Sequence, residues 1–497
     1  MGNHGKGHWA AAVIFSVVIA ATACASDNEV NKDTTASVFP DRRDLTVGVF
    51  SAQRTNPATL GFDRTAKNEL TVPIFPAVWA GWWSNRLAVT PYFDMADSGK
   101  LADYINVMLD RSFNTVGLDP GQASKKIMND VADGISVCAR TRTTSLALTT
   151  RLGSIAVHSS FDAQVDIPRG FFALIFGDDQ GLAPGNRIDF KELKAEAIAY
   201  STISAAYGRQ FSSPLLKQFV KRLSHGFFDF TDASWGLGVD YIIGHALVKE
   251  KTLDGSMKVT KRNGIDALEI EGQVEMITAG GGVHGKWKIP QSTGMKDFFP
   301  GKGIGMNTGI AFYGPKTSLD VSLDGLGFIR WGDVKKVVYA IRDTSVRLSR
   351  LLGDSILQTR PSSGDTLRDA PALYQSLPLS ISLATAYTFP FGKKAKNFRA
   401  FSQYVIVALT YDQNCISWPA RSFVPRIGLC AEDGALFGVV PVRCGFFAGG
   451  SEGFGSNLGV GFNSRLVKID LGYTAFGTPY FYSRRGMAVS AGIRGMW

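Results

Sequence analysis

The chain has 497 residues, of which 45% are hydrophobic, and a formal net charge of +10. Only 19% of the residues are charged, below the ~25% usual for soluble domains; the apolar content excludes disorder, and the 54 glycines lack a collagen period. The basic residues are dispersed along the chain, which argues against a nucleic-acid partner. The length allows either about three globular domains or one large closed β-structure, and the composition favours the second.

The N-terminus predicts an exported protein. Residues 1–8 form a short region that contains Lys6, and residues 9–21 are an uncharged apolar run too short to span a bilayer as a helix. The small residues 21–26 suit cleavage by a signal peptidase. Alternatively, Cys24 after Ala-Thr-Ala resembles a loose lipobox, in which the cysteine thiol is lipidated, and both routes stay open.

This interpretation divides the chain into three regions. Residues 1–25 are the predicted signal peptide, residues 26–44 a flexible polar leader, and residues 45–497 a single domain, because no linker divides them. Within that domain, residues 100–113 and 122–132 have the apolar spacing of short amphipathic helices.

Most of the domain alternates between apolar and polar residues with a period of two. In residues 379–389, large apolar side chains alternate with Ser, Ala and Thr, and residues 318–324 and 467–474 follow the same pattern. Such segments are longer than the ~5–6 residues of a sandwich strand and suit the ~9–11 residues that cross a bilayer in a tilted barrel. The sequence therefore predicts an all-β fold: a transmembrane antiparallel β-barrel of about 14 strands (range ~12–18) with a few short helices, located in the bacterial outer membrane.

The last strand carries a predicted assembly signal. Val489, Ile493 and Trp497 lie on one face of this strand. Alternating apolar residues with a terminal aromatic resemble the signal by which the barrel-assembly machinery recognises outer-membrane proteins. If the C-terminus lies in the periplasm, three short connections become periplasmic turns. These connections are residues 392–397, 432–434 and 463–465.

Five of the tryptophans are candidates for the membrane interfaces. Trp79, Trp82, Trp83, Trp235 and Trp331 suit aromatic girdles at the membrane interfaces, although each by itself suits a core or loop position equally well.

The sequence offers no convincing catalytic or metal site. Gly-Gly-Ser-Glu-Gly around Ser451 matches G-x-S-x-G, but a glycine-rich strand follows it instead of a helix, which favours a hairpin loop. The histidines lack metal-ligand spacing and the cysteines form no CxxC pair. We therefore expect no catalytic residue, no cofactor and no metal ion.

One short motif carries a family resemblance. Asn56-Pro57-Ala58 resembles the Asn-Pro-Ala segment of the long-chain fatty-acid transporter superfamily of outer-membrane barrels, and residues 71–75 and 445–450 fit the same ordered pattern. The chain is similar to an uncharacterised branch of that superfamily. The resemblance implies a 14-stranded barrel with an N-terminal segment in the lumen, so residues 45–70, with Asn56, Pro57 and Ala58, form a candidate lumen plug. It implies no particular ligand, because no fatty-acid-binding residue set matches.

Two functions fit these features. In the first, the barrel passes or binds a hydrophobic or small solute through a plugged lumen, and its partners are outer-membrane lipid, the barrel-assembly machinery and a hydrophobic ligand. In the second, it is a non-transporting structural or secretion-accessory barrel that docks another envelope protein. An enzyme of the barrel-lipase kind is disfavoured, because the sequence lacks the Ser/His constellation. Whether the lumen is open or filled discriminates between the first two functions.

Overall fold

The computed structural model describes the chain in fifteen ranges, on which all statements below rest. These ranges are residues 56–58, 69–71, 77–86, 119–150, 153–169, 187–189, 194–211, 229–262, 265–280, 299–347, 363–390, 402–435, 439–464, 467–477 and 485–496. The predicted signal peptide, the leader and the helix at 100–113 lie outside them.

Nearly all of the described chain is β-strand, with one helix. The strands are β1 (Glu69–Thr71), β2 (Ala77–Ser84), β3 (Ile135–Thr150), β4 (Gly153–Ile167), β5 (Arg187–Asp189), β6 (Lys194–Gln210), β7 (Asp232–Arg262), β8 (Ile265–Ala279), β9 (Gly301–Tyr313), β10 (Thr317–Trp331), β11 (Val334–Arg347), β12 (Ser363–Ala370), β13 (Leu373–Ser376), β14 (Ser380–Pro390), β15 (Ser402–Asn414), β16 (Arg426–Ala435), β17 (Val440–Gly449), β18 (Gly453–Asn463), β19 (Val467–Phe476) and β20 (Gly486–Met496). The helix α1 is Pro120–Asp130, and Asp119 caps it by accepting a hydrogen bond from the backbone N–H of Gln122. The helix predicted near 122–132 is therefore confirmed.

The strands close into one antiparallel barrel. Its first wall position is shared by β1 and β2, which both pair with β20 on one side and β3 on the other. The wall continues through β4, β6, β7, β9 and β10 to β14, and from there each strand pairs with the next as far as β20. This ring has 14 positions, so the predicted fold and strand number are confirmed.

A second sheet leaves the barrel wall on β7, a strand of 31 residues. As far as Gly244 this strand pairs with β9, and from Leu247 it pairs with β8, which also pairs with β11. β11 in turn pairs with β12. We call β8, β11, β12 and the distal half of β7 the side sheet.

The two faces of the wall differ in chemistry. Along β9 and β10, Ile304, Met306, Leu326 and Phe328 are more than one-third exposed, whereas Asp320 and its inward-facing neighbours are almost fully buried. The same alternation recurs around the ring, with outward-facing apolar residues that include Ile155, Ile203, Val239, Leu409, Leu429, Val460 and Leu471. On a closed barrel, lipid covers a continuous apolar outer surface of this kind. The protein is therefore an outer-membrane β-barrel.

The two ends of the barrel carry different elements. Connections of two and three residues, 151–152 between β3 and β4 and 314–316 between β9 and β10, lie at the end where β20 finishes, together with the longer connection between β6 and β7. Residues 415–425, the side sheet and the short connection between β17 and β18 lie at the other end. Following the prediction that the C-terminal strand ends in the periplasm, we call the first end periplasmic and the second extracellular.

One detail of the predicted pattern is wrong. Residues 432–434 are not a turn but part of β16, and Glu432 there is fully buried and paired with Arg443. Acidic residues followed by Gly have the composition of a turn, yet a lumen-facing strand also accepts charge when a basic partner lies on the next strand. The turn at 463–465 is confirmed in outline, because Ser464 N–H donates to the carbonyl of Val467.

Most of the described tryptophans do not form an outer girdle. Trp79, Trp83 and Trp331 are 6%, 1% and 0% exposed and point into the barrel. Trp235 is 39% exposed on the outer face, near the periplasmic end, and its ring lies 6.2 Å from that of Tyr207. The pair of Trp235 and Tyr207 suits the interfacial role, and Trp82 is partly exposed on the face of β2 opposite Trp83.

Candidate functional site

The first feature of the lumen is the binding of Asn56-Pro57-Ala58 to its inner wall. The Asn56 side-chain amide donates to the backbone carbonyls of Ile310 on β9 (3.1 Å) and Val321 on β10 (3.3 Å). Its carbonyl oxygen accepts from Ala58 N–H at 3.0 Å, which holds the motif in a tight turn. The Ser234 hydroxyl on β7 donates to the carbonyl of Ala58 at 2.6 Å. Three wall strands thus hold three fully buried residues.

Two glycines make room for this contact. A Cβ atom on Gly236 of β7 would lie 2.0 Å from the carbonyl carbon of Pro57, and one on Gly309 of β9 would lie 2.0 Å from Oδ1 of Asn56. The two glycines are paired across β7 and β9. The backbone of the motif therefore lies directly on the backbone of the wall, a fit that only glycine permits.

The second feature is a loop that enters the extracellular end of the lumen. We call residues 415–425, which connect β15 and β16, the strap. Trp418 in the strap is 2% exposed, and its indole N–H donates to Oδ2 of Asp162 on β4 at 2.8 Å. Ala420 N–H donates to Oε1 of Gln164 on β4 at 2.9 Å. Since β4 lies about half-way round the ring from β15 and β16, the strap crosses the lumen.

Further contacts fix the same point of the strap. The Ala420 carbonyl accepts hydrogen bonds from the Arg140 guanidinium on β3 and from the Ser451 hydroxyl, the latter at 2.9 Å. The ring of Trp418 packs edge-on against Tyr200 of β6, with centroids 6.0 Å apart. Polar and apolar contacts together hold the strap across this end of the lumen.

Charged side chains surround the contact between strap and wall. Arg140 pairs with Asp162 at 2.8 Å and with Glu452 at 3.5 Å, and Arg426 pairs with Glu452 at 3.7 Å. Arg421, in the strap, donates through Nη1 to Asn414 at 3.4 Å. Among the described residues, its Nε and Nη2 atoms are buried without a hydrogen-bond partner. In these ion pairs two arginines balance two carboxylates, and Arg421 adds a further positive charge beside them.

A separate ion-pair network lines the wall closer to the periplasm. Arg443 on β17 donates to Glu432 on β16 at 2.6 Å and to Asp470 on β19 at 2.7 Å. Both carboxylates are 0% exposed. The carboxylates are therefore shielded from solvent and paired with Arg443.

The inner wall also has an apolar patch. On β14, β15 and β16, Ala386, Ile406, Ala408 and Cys430 form a buried cluster that faces inward. The lumen lining therefore combines charge with a surface that suits an apolar chemical group.

Two of the three predicted assembly residues, Val489 and Ile493, lie on the outward face of β20. Val489 pairs with Tyr473 and Ile493 with Ile469 on β19. Trp497 and Cys24 lie outside the described residues, so their roles in assembly and lipidation stay predictions.

Ser451 is a structural residue of the turn between β17 and β18. Its hydroxyl donates to the Ala420 carbonyl, so this G-x-S-x-G motif holds the strap. Within the described ranges, no group of three or more His, Cys, Asp or Glu residues is arranged to bind a metal ion. Among the same residues, no helix is long and apolar enough to cross a membrane.

The strap residues could not be found by sequence reasoning. Trp418, Arg421 and Asp162 match no motif, and Trp418 and Asp162 lie 256 positions apart. The only sequence signal was an inward-facing charge on β4 in the alternating pattern.

A family model described as a family of unknown function (DUF5723) matches residues 61–419. The chain belongs to this family. A search of curated proteins finds no match for this DUF5723 member. Among solved structures, it is similar to a FadL homologue of Pseudomonas aeruginosa, with 11% identity, a TM-score of 0.40, and coverage of 96% of this chain and 99% of the other.

Two further solved structures resemble this DUF5723 protein. The toluene transporter TodX of P. putida has 9% identity and a TM-score of 0.36, with coverage of 90% of this chain and 92% of the other. A porin mutant of Rh. blastica has 9% identity and a TM-score of 0.19, with coverage of 63% and 96%. A family of unknown function agrees with the predicted uncharacterised branch, and membership of the long-chain fatty-acid transporter superfamily stays a prediction. These likenesses concern the fold alone.

Proposed function

We propose that this outer-membrane barrel binds or passes a hydrophobic or small solute through a lumen plugged by its own N-terminal segment. The plug is the predicted segment 45–70 without Glu69 and Leu70, because these two residues belong to β1 in the wall. Asn56-Pro57-Ala58 is its attachment point. The observation that carries the proposal is the glycine-lined contact of this motif with β7 and β9.

The chemistry of the lining supports the class of solute. A general diffusion pore needs an open, hydrated lumen, whereas here an attached segment and a crossing loop obstruct the path. The inward-facing cluster of Ala386, Ile406, Ala408 and Cys430 is apolar and already shielded from water, so the inner wall at this level has the chemistry of an apolar interior. Obstruction combined with an apolar lining favours selective passage over diffusion.

Two alanine substitutions on the same face of β7 test the plug. In Gly236→Ala, the new methyl group meets the backbone of Pro57 at 2.0 Å, so the motif has to leave the wall. In Gly238→Ala, the nearest atom is the Cβ of Ala206 at 3.6 Å, an ordinary contact, which makes this variant the matched control. In planar bilayers, we expect low steady conductance from the intact protein and from Gly238→Ala, and clearly higher conductance from Gly236→Ala.

The solute class is tested with the same three proteins in liposomes. We expect the intact protein to take up a hydrocarbon probe faster than a sugar of similar size, and Gly236→Ala to admit both. Large, stable conductance from the intact protein would contradict the plug, and equal rates for both probes would contradict the solute class.

Docking of another envelope protein is the alternative, and the side sheet favours it. This sheet lies outside the ring, and Asp369 on β12 presents a side chain that is 87% exposed. A photo-crosslinking residue at position 369 that captures one defined envelope protein, together with no uptake by any variant, would favour docking over transport.

A further inference from the structure

The strap closes the extracellular end of the lumen by contacts that concentrate on two residues. Trp418 and Ala420 both bind β4, through Asp162 and Gln164. These hydrogen bonds join parts of the chain that lie far apart on the ring. This end of the lumen can therefore open when a small number of contacts break together.

One charge opposes this closed arrangement. Burial, and then the guanidinium groups of Arg142 and Arg140, lower the pKa of Arg421, while Asp162 acts in the opposite direction. A base whose pKa is lowered has its charged form destabilised by its surroundings. Since an arginine in water stays charged, Arg421 regains favourable hydration when the strap leaves the lumen.

The strap backbone adds a second, independent source of strain. Ala420 has φ = 58°, the left-handed region that residues with a side chain rarely adopt. Such a conformation persists only where its surroundings impose it, and here they do so through hydrogen bonds to both the N–H and the carbonyl of Ala420. When those hydrogen bonds break, the backbone of Ala420 can adopt a more favourable conformation.

We propose that the strap is an extracellular gate, which the hydrogen bonds of Trp418 and Ala420 hold shut and which the uncompensated charge of Arg421 drives open. The gate rests on the proposed function only for its role in solute passage, and the movement of the strap does not depend on that role. The closed arrangement and its charge balance exist whether or not a solute passes.

Hydrogen exchange measured on the full-length protein in lipid vesicles tests the gate. The reporters are the amides of Ala420 and Arg421, which donate to Gln164 and to the carbonyl of Trp418. Asp162→Asn removes the counter-charge but keeps the shape, and we expect exchange at least ten times faster. Arg421→Gln removes the opposing charge, and we expect exchange at least three times slower.

The opposite signs distinguish a gate from a structural crosslink. If the strap only braces the wall, both substitutions weaken it and both accelerate exchange, which overturns the proposal; so does unchanged exchange in both variants. Glu432→Gln is the matched control, because it neutralises an equally buried carboxylate in the separate Arg443 network. Exchange in the strap should be the same in this control as in the intact protein.

Two measurements keep the result interpretable. Heat-modifiable migration on a gel verifies that each variant forms a barrel. If Asp162→Asn does not fold, Trp418→Phe replaces it, since it removes the indole donor and should accelerate exchange in the same direction. If exchange follows the predicted signs while no variant passes any solute, the gate stands and the proposed function fails. If solute passes but the signs are not opposite, the proposed function stands and the gate fails.

Discussion

The two elements that obstruct the lumen are held by different physical means. Asn56-Pro57-Ala58 is bound by neutral hydrogen bonds to backbone carbonyls and by close contact with Gly236 and Gly309. The strap is bound across a cluster of arginines and carboxylates, and one of its own residues, Arg421, opposes the closure. The strength of a neutral contact depends little on nearby charges, whereas the strength of a charged contact changes with each charge near it. We therefore expect the Asn56-Pro57-Ala58 motif to stay fixed on the wall and the strap to move.

The largest expected effect comes from inserting a charge into the neutral contact. Asn56→Asp keeps the shape but replaces the two N–H donations to Ile310 and Val321 with repulsion between a carboxylate and carbonyl oxygens. Leaving buried groups without partners costs about 1–3 kcal/mol each, so we expect the motif to leave the wall. The measurement is proteolysis near residue 56 in detergent.

Pro57→Ala is the control for this prediction. The contact with Gly236 uses backbone atoms of Pro57, which alanine retains. Cleavage of this variant should stay close to that of the intact protein. Equal resistance of Asn56→Asp and the intact protein would mean that the motif is not held by its amide.

An intermediate effect is expected from the loss of one neutral hydrogen bond to the strap. Ser451→Ala removes the hydroxyl that donates to the Ala420 carbonyl, while the Arg140 donation to the same carbonyl remains. One such bond contributes about 0.5–1.5 kcal/mol, so exchange of the Ala420 amide should accelerate by roughly 2- to 10-fold. Any esterase signal should be unchanged, and a specific loss of it would restore the enzyme interpretation of this serine.

The smallest expected effect is that of salt. Ions screen repulsion among the arginines around the strap, so exchange at Ala420 should become slower, by less than about threefold, when the ionic strength rises from ~0.05 to ~0.5 M. The neutral contact of Asn56 should not respond. Salt that accelerates strap exchange would mean that attraction, not repulsion, dominates the cluster.

The wall was largely predictable from the sequence because one rule governs it. Alternation in residues 318–324 placed Leu319, Val321 and Leu323 opposite Asp320 and Ser322, and in β10 these two sets do face opposite sides. The rule fails for aromatic residues. Trp83 and Trp331 are large and apolar, yet they face inward, because an obstructed lumen has a core of its own.

The site was less predictable than the wall. Asn56-Pro57-Ala58 was found only through a family resemblance, and the two glycines under it look like ordinary strand glycines in the sequence. The strap looks like an ordinary loop, since its binding to β4 depends on the curvature of the ring and on contacts between distant segments. Local pattern determines which residues share a face, but not which faces meet across a cavity.

The pairing of the first wall position with the last strand has a consequence for biogenesis. Val78 on β2 is paired with Ala491 on β20, about 400 residues later in the chain. Until that final pairing forms, both strands expose unpaired backbone N–H and C=O groups that can pair with other chains. A contact between residues so far apart in the sequence also forms slowly. The nascent polypeptide is thus exposed to misassembly throughout its passage across the envelope, and closure of the ring is the step that ends this exposure.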